Sequence, residues 1–203
     1  MSYFEVFSLP RQLTLDAAAL EKQFYELSRR LHPDRFAGRP AAEQETALEQ
    51  SSQLNNAYRT LRDPIRRTEY LLKLEGVELE EQSKSATDEA RATGAVKKQV
   101  VPPELLEEVF DLNMQLQEMQ AVRKMGENDA GLRSALLSTR DAFNIRMADS
   151  QAELERLWTE WDQAFRANDE TAKAAARDAM VALLNRRSYL RNLVRDVNEA
   201  LEE

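Results

Sequence analysis

Leu20, Phe24, Leu27 and Leu31 recur at spacings of four, three and four, which lays a single apolar stripe along one α-helix. Helical spacing of this kind returns throughout the chain. Near its end Ala176, Leu183, Leu190 and Val197 stand seven apart, and Met180, Val194 and Leu201 fall on a second seven-residue register. Between them Leu136, Phe143, Met147, Leu154, Trp158, Trp161 and Phe165 form another long stripe. Only five Gly and six Pro interrupt 203 residues. Few breakers and recurrent helical spacing predict an all-α chain whose stripes are core.

The breakers divide it. A first short helix over Tyr3–Phe7 is ended by Pro10. A second starts near Thr14 or Asp16, both good N-caps, and stops before Pro33, because proline disfavours the α region at the residue preceding it. After a turn-rich loop, a third helix runs over Ala41–Arg62, with Leu48, Ser51, Ser52, Leu54, Ala57, Tyr58 and Leu61 facing inward. Asp63-Pro64 is an N-cap with proline at the first helical position, and the fourth helix ends at Gly76, a natural C′ residue. Residues 1–76 thus form one small domain around a helical hairpin. Residues 77–101 show no sustained period and are a connector. Residues 102–203 carry three helices, from Pro103 to Lys124, Gly131 to Ala167 and Asp169 to Leu201, which short turns would fold into an antiparallel three-helix bundle.

Composition narrows the chemistry. With no Cys, a disulfide framework, a thiolate zinc site and a Cys-held iron–sulfur cluster are excluded. No apolar run approaches a membrane span. Met1-Ser2-Tyr3-Phe4 has neither the layout of a signal peptide nor that of an Arg-rich transit segment, so a cytoplasmic chain is expected, with a mature organellar chain as the alternative. Residues 1–75 hold 11 Lys+Arg and 11 Asp+Glu, whereas residues 76–203 hold 17 and 25, which places the whole net charge of −8 in the second part. That acidity argues against nucleic acid or anionic membrane as its partner and suits a basic protein surface.

His32 is the only histidine. A two-His metal site is impossible. Ser28, His32 and Asp34 can be written as a hydrolase triad, but nothing supplies an oxyanion hole, so no enzyme and no cofactor are expected. His32-Pro33-Asp34 can be a mere helix-ending turn in which Asp34 caps local amides. Its context points further. Lys22 and Arg29 lie two turns apart on one face of the preceding helix, Arg30 is beside them, and Arg35 extends the patch past the turn. A cationic strip beside a proline-stiffened loop is a docking edge for an acidic groove.

The first bundle helix carries two stripes. Leu105, Val109, Leu112, Leu116 and Met119 follow a four-three-four-three seam and should be buried. Leu106, Phe110 and Met114 form a second row, flanked by Glu107, Asp111 and Glu118. An apolar strip rimmed by acid reads as a partner face, the alternative being packing on the connector or the first domain.

The runs Phe24-Tyr25-Glu26-Leu27-Ser28-Arg29-Arg30-Leu31-His32-Pro33-Asp34-Arg35-Phe36 and Leu54-Asn55-Asn56-Ala57-Tyr58-Arg59-Thr60-Leu61-Arg62-Asp63-Pro64 resemble a J-domain. The opening Tyr3-Phe4-Glu5-Val6-Phe7-Ser8-Leu9-Pro10, the closing Arg66-Arg67-Thr68-Glu69-Tyr70-Leu71-Leu72 and the C-terminal bundle are similar to the HscB branch. The resemblance implies an L-shaped co-chaperone of iron–sulfur assembly, monomeric and cluster-free. Its J-domain would stimulate the ATPase of the DnaK-type chaperone HscA, and its bundle would bind the scaffold IscU. His32, Pro33 and Asp34 would be the stimulating triplet, supported by Lys22, Arg29, Arg30 and Arg35. Leu106, Phe110, Asp111, Met114 and Glu118, with an aromatic at Tyr189, would face the scaffold. Glu107 stands where the family often has an apolar residue and Met114 where it often has an acid. A J-protein with another client is the second reading.

Overall fold

The computed structural model describes residues 1–77, 79 and 101–202, so the connector expected at 77–101 lies almost wholly outside the described residues. Every regular element described is helical: α1 (Tyr3–Val6), α2 (Ala17–Leu31), a 3-10 turn (Pro33–Phe36), α3 (Ala41–Arg62), α4 (Pro64–Leu74), a second 3-10 turn (Pro103–Leu105), α5 (Leu106–Lys124), α6 (Ala130–Ala167) and α7 (Glu170–Glu202). Among the described residues no helix is long and apolar enough to cross a membrane.

The boundaries follow capping chemistry. Ser2 and Glu5 close a reciprocal capping box on α1. Asp16 Oδ1 accepts from the amides of Ala18 and Ala19 at 2.9 and 3.0 Å, so Asp16, not Thr14, starts α2. Asp63 Oδ1 accepts from Arg66 N at 2.9 Å, with Pro64 at the first helical position. Gly76 ends α4 in the left-handed region, at φ +77°, and the Val77 amide reaches back to the Leu72 carbonyl at 2.9 Å. Asn168 makes the same turn at the end of α6, at φ +54°, with Asp169 N donating to Ala164 O at 3.0 Å. Asn is among the few non-glycine residues that tolerate this conformation.

By compactness the chain divides into two units, Met1–Leu79 with Glu155–Met180, and Glu80–Leu154 with Val181–Glu203. In the first, α2 pairs with α3 while α1 and α4 pack on α3. Phe4, Phe7, Leu13, Leu20, Leu54, Ala57, Leu61, Leu71 and Leu72 fill its core. The inward face of α3 is corrected at one end. Ala47 is buried, whereas Leu48 is 60% exposed and Ser52 is exposed. The inward line runs through positions 47, 54, 57 and 61, and position 48 is turned about 100° away from position 47.

This unit also takes in the hairpin formed by the end of α6 and the start of α7. Trp161, Ala164, Ala176 and Met180 are buried there. Asp162, 1% exposed, accepts hydrogen bonds from the amides of Leu13 at 2.8 Å and Thr14 at 2.9 Å. Trp161 Nε1 donates to the Arg11 carbonyl at 3.3 Å. Trp158 Nε1 donates to Thr68 Oγ1 at 2.8 Å, and that hydroxyl donates to the Pro64 carbonyl at 2.9 Å. The Arg67 guanidinium lies 4.5 Å from the centre of the Trp158 ring and donates to the Leu61 carbonyl at 3.0 Å. Burial lowers the Arg67 pKa, against the pull of Asp162, Asp63 and Glu155 in the other direction.

The second unit has a core of Leu105, Val109, Leu112, Met119, Leu132, Leu136, Phe143, Tyr189, Leu190, Leu193, Val197 and Leu201, with Leu116, Met147 and Val194 packed on it. This is the heptad seam expected of an antiparallel bundle. Polar clamps lie outside it. Arg146 holds both Glu108 carboxylate oxygens at 2.5 and 2.7 Å, Arg186 holds Glu153 at 2.6 Å, and Arg187 bridges the Met147 carbonyl and the Ser150 hydroxyl.

Replacing Asp162 by Ala strips two amides of their acceptor, one of them buried. An unsatisfied buried donor costs about 1–3 kcal/mol, so urea denaturation should show a loss of about 2–4 kcal/mol. Leu54→Ala should cost about 2–5 kcal/mol as a core truncation. Leu48→Ala should stay within about 0.5 kcal/mol, as surface changes do.

Candidate functional site

The loop after α2 is built by His32. The residue ends α2 and starts the 3-10 turn, and its Nδ1 accepts from Asp34 N at 3.3 Å. The turn is thus not the simple one in which Asp34 caps local amides, because the ring of His32 takes up the Asp34 amide. A neutral imidazole that accepts at Nδ1 carries its proton on Nε2, which leaves one donor for a partner. Asp34 Oδ2 stands 3.4 Å from Nδ1, and the two side chains are 56% and 89% exposed. Among the described residues the hydrogen bonds of His32 run to Asp34 and not to Ser28, so the structure does not assemble the triad written from sequence.

Lys22, Arg29, Arg30 and Arg35 are all exposed. Seven residues return the helix to within about 20° of its starting direction, so Lys22 and Arg29 share a line, whereas Arg30 points about 80° off it. Arg35 folds back and donates from Nη1 to the Arg29 carbonyl at 3.3 Å, covering one of the open carbonyls at the end of α2. Tyr25, missed from sequence, is 55% exposed. It stands one turn from both Lys22 and Arg29, while its neighbour Phe24 turns inward and stacks on Tyr58 at 4.1 Å. The spacing of Tyr25 from those two cations was the available signal.

In the second unit, α5 separates its two stripes as expected. Leu105, Val109, Leu112 and Met119 are buried, while Leu106, Phe110 and Met114 are 55%, 64% and 57% exposed. The three exposed apolar residues span an arc of about 80°, and Glu107, Asp111 and Glu118 occupy about the next 60°. All three acids are exposed, so the acid follows one long edge of the strip. Glu108, by contrast, is held by Arg146. Tyr189 does not join this strip. It is 8% exposed, sits in the bundle core with Leu190 and Leu193, and burial raises the pKa of its phenol, as does nearby Asp196 to a smaller extent.

Residues 2–70 match the DnaJ domain family. Two co-chaperone protein HscB homologs from Vibrio cholerae serotype O1 are 49% and 44% identical over 79 and 88 residues, covering 39% and 43% of this chain. The chain spans about half the length of these curated relatives, 46% and 52%. The solved structure of chaperone HscB from Vibrio cholerae matches 99% of both chains at 30% identity, with a TM-score of 0.57. Human co-chaperone protein HscB shares the fold, with a TM-score of 0.60 at 21% identity, over 98% of this chain and 81% of the human one. An exposed His32–Asp34 loop, a J-domain match and a full-length structural relative converge, and the chain belongs to the HscB family of J-domain co-chaperones.

Proposed function

We propose that this chain delivers an iron–sulfur scaffold of the IscU type to a DnaK-type chaperone of the HscA type and stimulates that chaperone's ATPase. The exposed His32–Asp34 loop, flanked by cations that have no ion-pair partner among the described residues, is the observation that carries this reading. The chain then needs no reacting group of its own. Asp34 offers acceptor oxygens, His32 a ring N–H, and Lys22 and Arg29 a field that orients an acidic docking groove. Stimulation follows if the docked loop binds the hydrolysis-competent state of the ATPase better than the resting one. The strip Leu106–Phe110–Met114 holds the scaffold by apolar burial, and the acids beside it set its orientation against a basic patch. The acidity of the second part of the chain suits the same partner.

Steady-state ATPase measurements test the loop. His32→Gln and Asp34→Asn should each abolish stimulation with helicity by circular dichroism unchanged. Retained stimulation would remove the loop from the mechanism. Wild-type docking should also weaken between about 50 and 500 mM salt, because exposed charges act over a Debye length of about 8 Å at physiological ionic strength.

Phe110→Ala tests the strip in one variant measured twice. Its ring is 64% exposed, so urea denaturation should change by less than about 1 kcal/mol, against about 3–5 kcal/mol for a buried Phe. Calorimetry against the scaffold should show a loss of about 2 kcal/mol or more, tens-fold in affinity, as for a central interface aromatic. Unchanged affinity would mean that the scaffold binds elsewhere.

A further inference from the structure

The side of α3 opposite its buried line is uncovered. With the direction of Leu48 taken as zero, the buried positions 47, 54, 57 and 61 centre at about 225°, and Glu45, Leu48, Ser52, Asn56 and Arg59 fall within about 80° on the far side. All five are exposed, Leu48 by 60%. A lone apolar side chain on a surface is ordinary, but the setting of Leu48 is not. It borders an open cleft of about 490 Å3 whose other walls are Tyr3, Glu49, Ser52, Gln53 and Asn56. Glu45 stands seven residues before Ser52, and Arg59 stands seven residues after it. Among the described residues neither has an ion-pair partner. They cannot pair with each other, because the helix separates them by about 21 Å. The charge of α3 is thus reversed about Ser52, with Glu43, Glu45 and Glu49 before it and Arg59 and Arg62 after it. Such a pattern is complementary to itself when a two-fold axis reverses the direction of the helix.

We infer that α3 pairs antiparallel with α3 of a second copy of this chain, about a two-fold axis at Ser52, giving a reversible dimer where the family resemblance implies a monomer. In this register Glu45 faces the copy's Arg59 and Arg59 faces the copy's Glu45, so one contact makes two opposite-charge pairs. Leu48 faces the copy's Asn56 and enters the cleft beside it. Ser52 lies on the axis, where a small side chain lets the two helices approach. Charge selects this occupant. A uniformly basic partner would suit Glu45 and Glu49 and be repelled by Arg59, and an acidic one would meet the converse, whereas a copy answers both halves of the helix. One pair of helices buries less than the about 800 Å2 per partner of a stable complex, so the dimer forms and dissociates with concentration. No step of this uses a chaperone or a scaffold, and the inference stands apart from the co-chaperone reading.

Two measurements on the full chain decide it. In the first, sedimentation velocity follows the chain from micromolar to millimolar concentration. The wild-type sedimentation coefficient should rise with concentration, and less so at high salt. Glu45→Arg and Arg59→Glu should each weaken association about fivefold or more, because each sets like charges opposite one another twice. The double variant, which swaps the two charges, should return to within about twofold of wild type. Leu48→Asp should abolish association with helicity by circular dichroism unchanged. In the second, the absence of native Cys is used. Disulfide-bonded residues have Cα atoms about 4.4–6.8 Å apart, so Ser52→Cys, on the axis, should give a disulfide-linked dimer under mild oxidation. Arg59→Cys lies on the same face about 10 Å along the helix from the axis and should not. A wild type that stays monomeric throughout overturns the inference and leaves the face to a different protein. A double variant as weak as the single ones, or equal cross-linking at positions 52 and 59, overturns the register. Association lost in Phe110→Ala and kept in all the α3 variants would assign self-contact to α5 instead.

Discussion

A carboxylate that is 1% exposed can persist only with its acceptor sites engaged. Asp162 meets that demand with the amides of Leu13 and Thr14, the last stretch of chain before the cap of α2. The contact anchors the chain just before the Asp16 cap that starts α2, the helix at whose far end the His32–Asp34 loop stands. Around it lie Trp161 against the Arg11 carbonyl, Trp158 against Thr68, and Arg67 across the Trp158 ring. One acidic residue, some 150 positions away along the chain, thereby supports the small domain that carries the loop. The arrangement is polar at its centre and aromatic around it, so the desolvation of Asp162 is offset by charge-assisted bonds in a dry surround.

Much of this was legible because capping chemistry and helical period are local. Asp16, Asp63-Pro64 and Gly76 mark boundaries that the backbone then obeys, since each answers the unsatisfied amides or carbonyls of a helix end. The two stripes of α5 separated as read, because a helix of fixed pitch sends positions 105 and 106 in different directions whatever it packs on. Periodicity says that a face is buried and is silent on what buries it. Trp158 and Trp161 were read as one stripe with Leu136 and Leu154, and Ala176 and Met180 as the start of the last helix's registers, yet all four belong to the compact unit that contains residues 1–79. Long-range pairings reveal that, of Asp162 with residues 13 and 14, Trp158 with Thr68 and Trp161 with Arg11, and no local rule encodes them.

The smaller corrections have the same origin. Leu48 was assigned inward, but the buried line of α3 passes through Ala47, which is 2% exposed. Tyr189 was carried over by resemblance, and its neighbours Leu190 and Leu193 draw it into the core. Tyr25 was passed over because a single aromatic on a polar face makes no apolar stripe, and only its spacing from Lys22 and Arg29 marks it. In the loop itself the alternative weighed from sequence had Asp34 capping local amides. The ring of His32 reaches the Asp34 amide instead, and the carboxylate of Asp34 stands 89% exposed.

Both tryptophans of the chain, Trp158 and Trp161, lie in the first compact unit, against the segments that carry Arg11, Thr68 and Arg67. The aromatic residues in the core of the second unit are Phe143 and Tyr189. Indole emission thus observes one half of this molecule and is blind to the other, whereas the far-ultraviolet signal, arising from helices in both, observes the whole. The two spectroscopies amount to a built-in comparison of local with global order. Whether their transitions coincide tells directly whether the chain melts as a single cooperative body or as two.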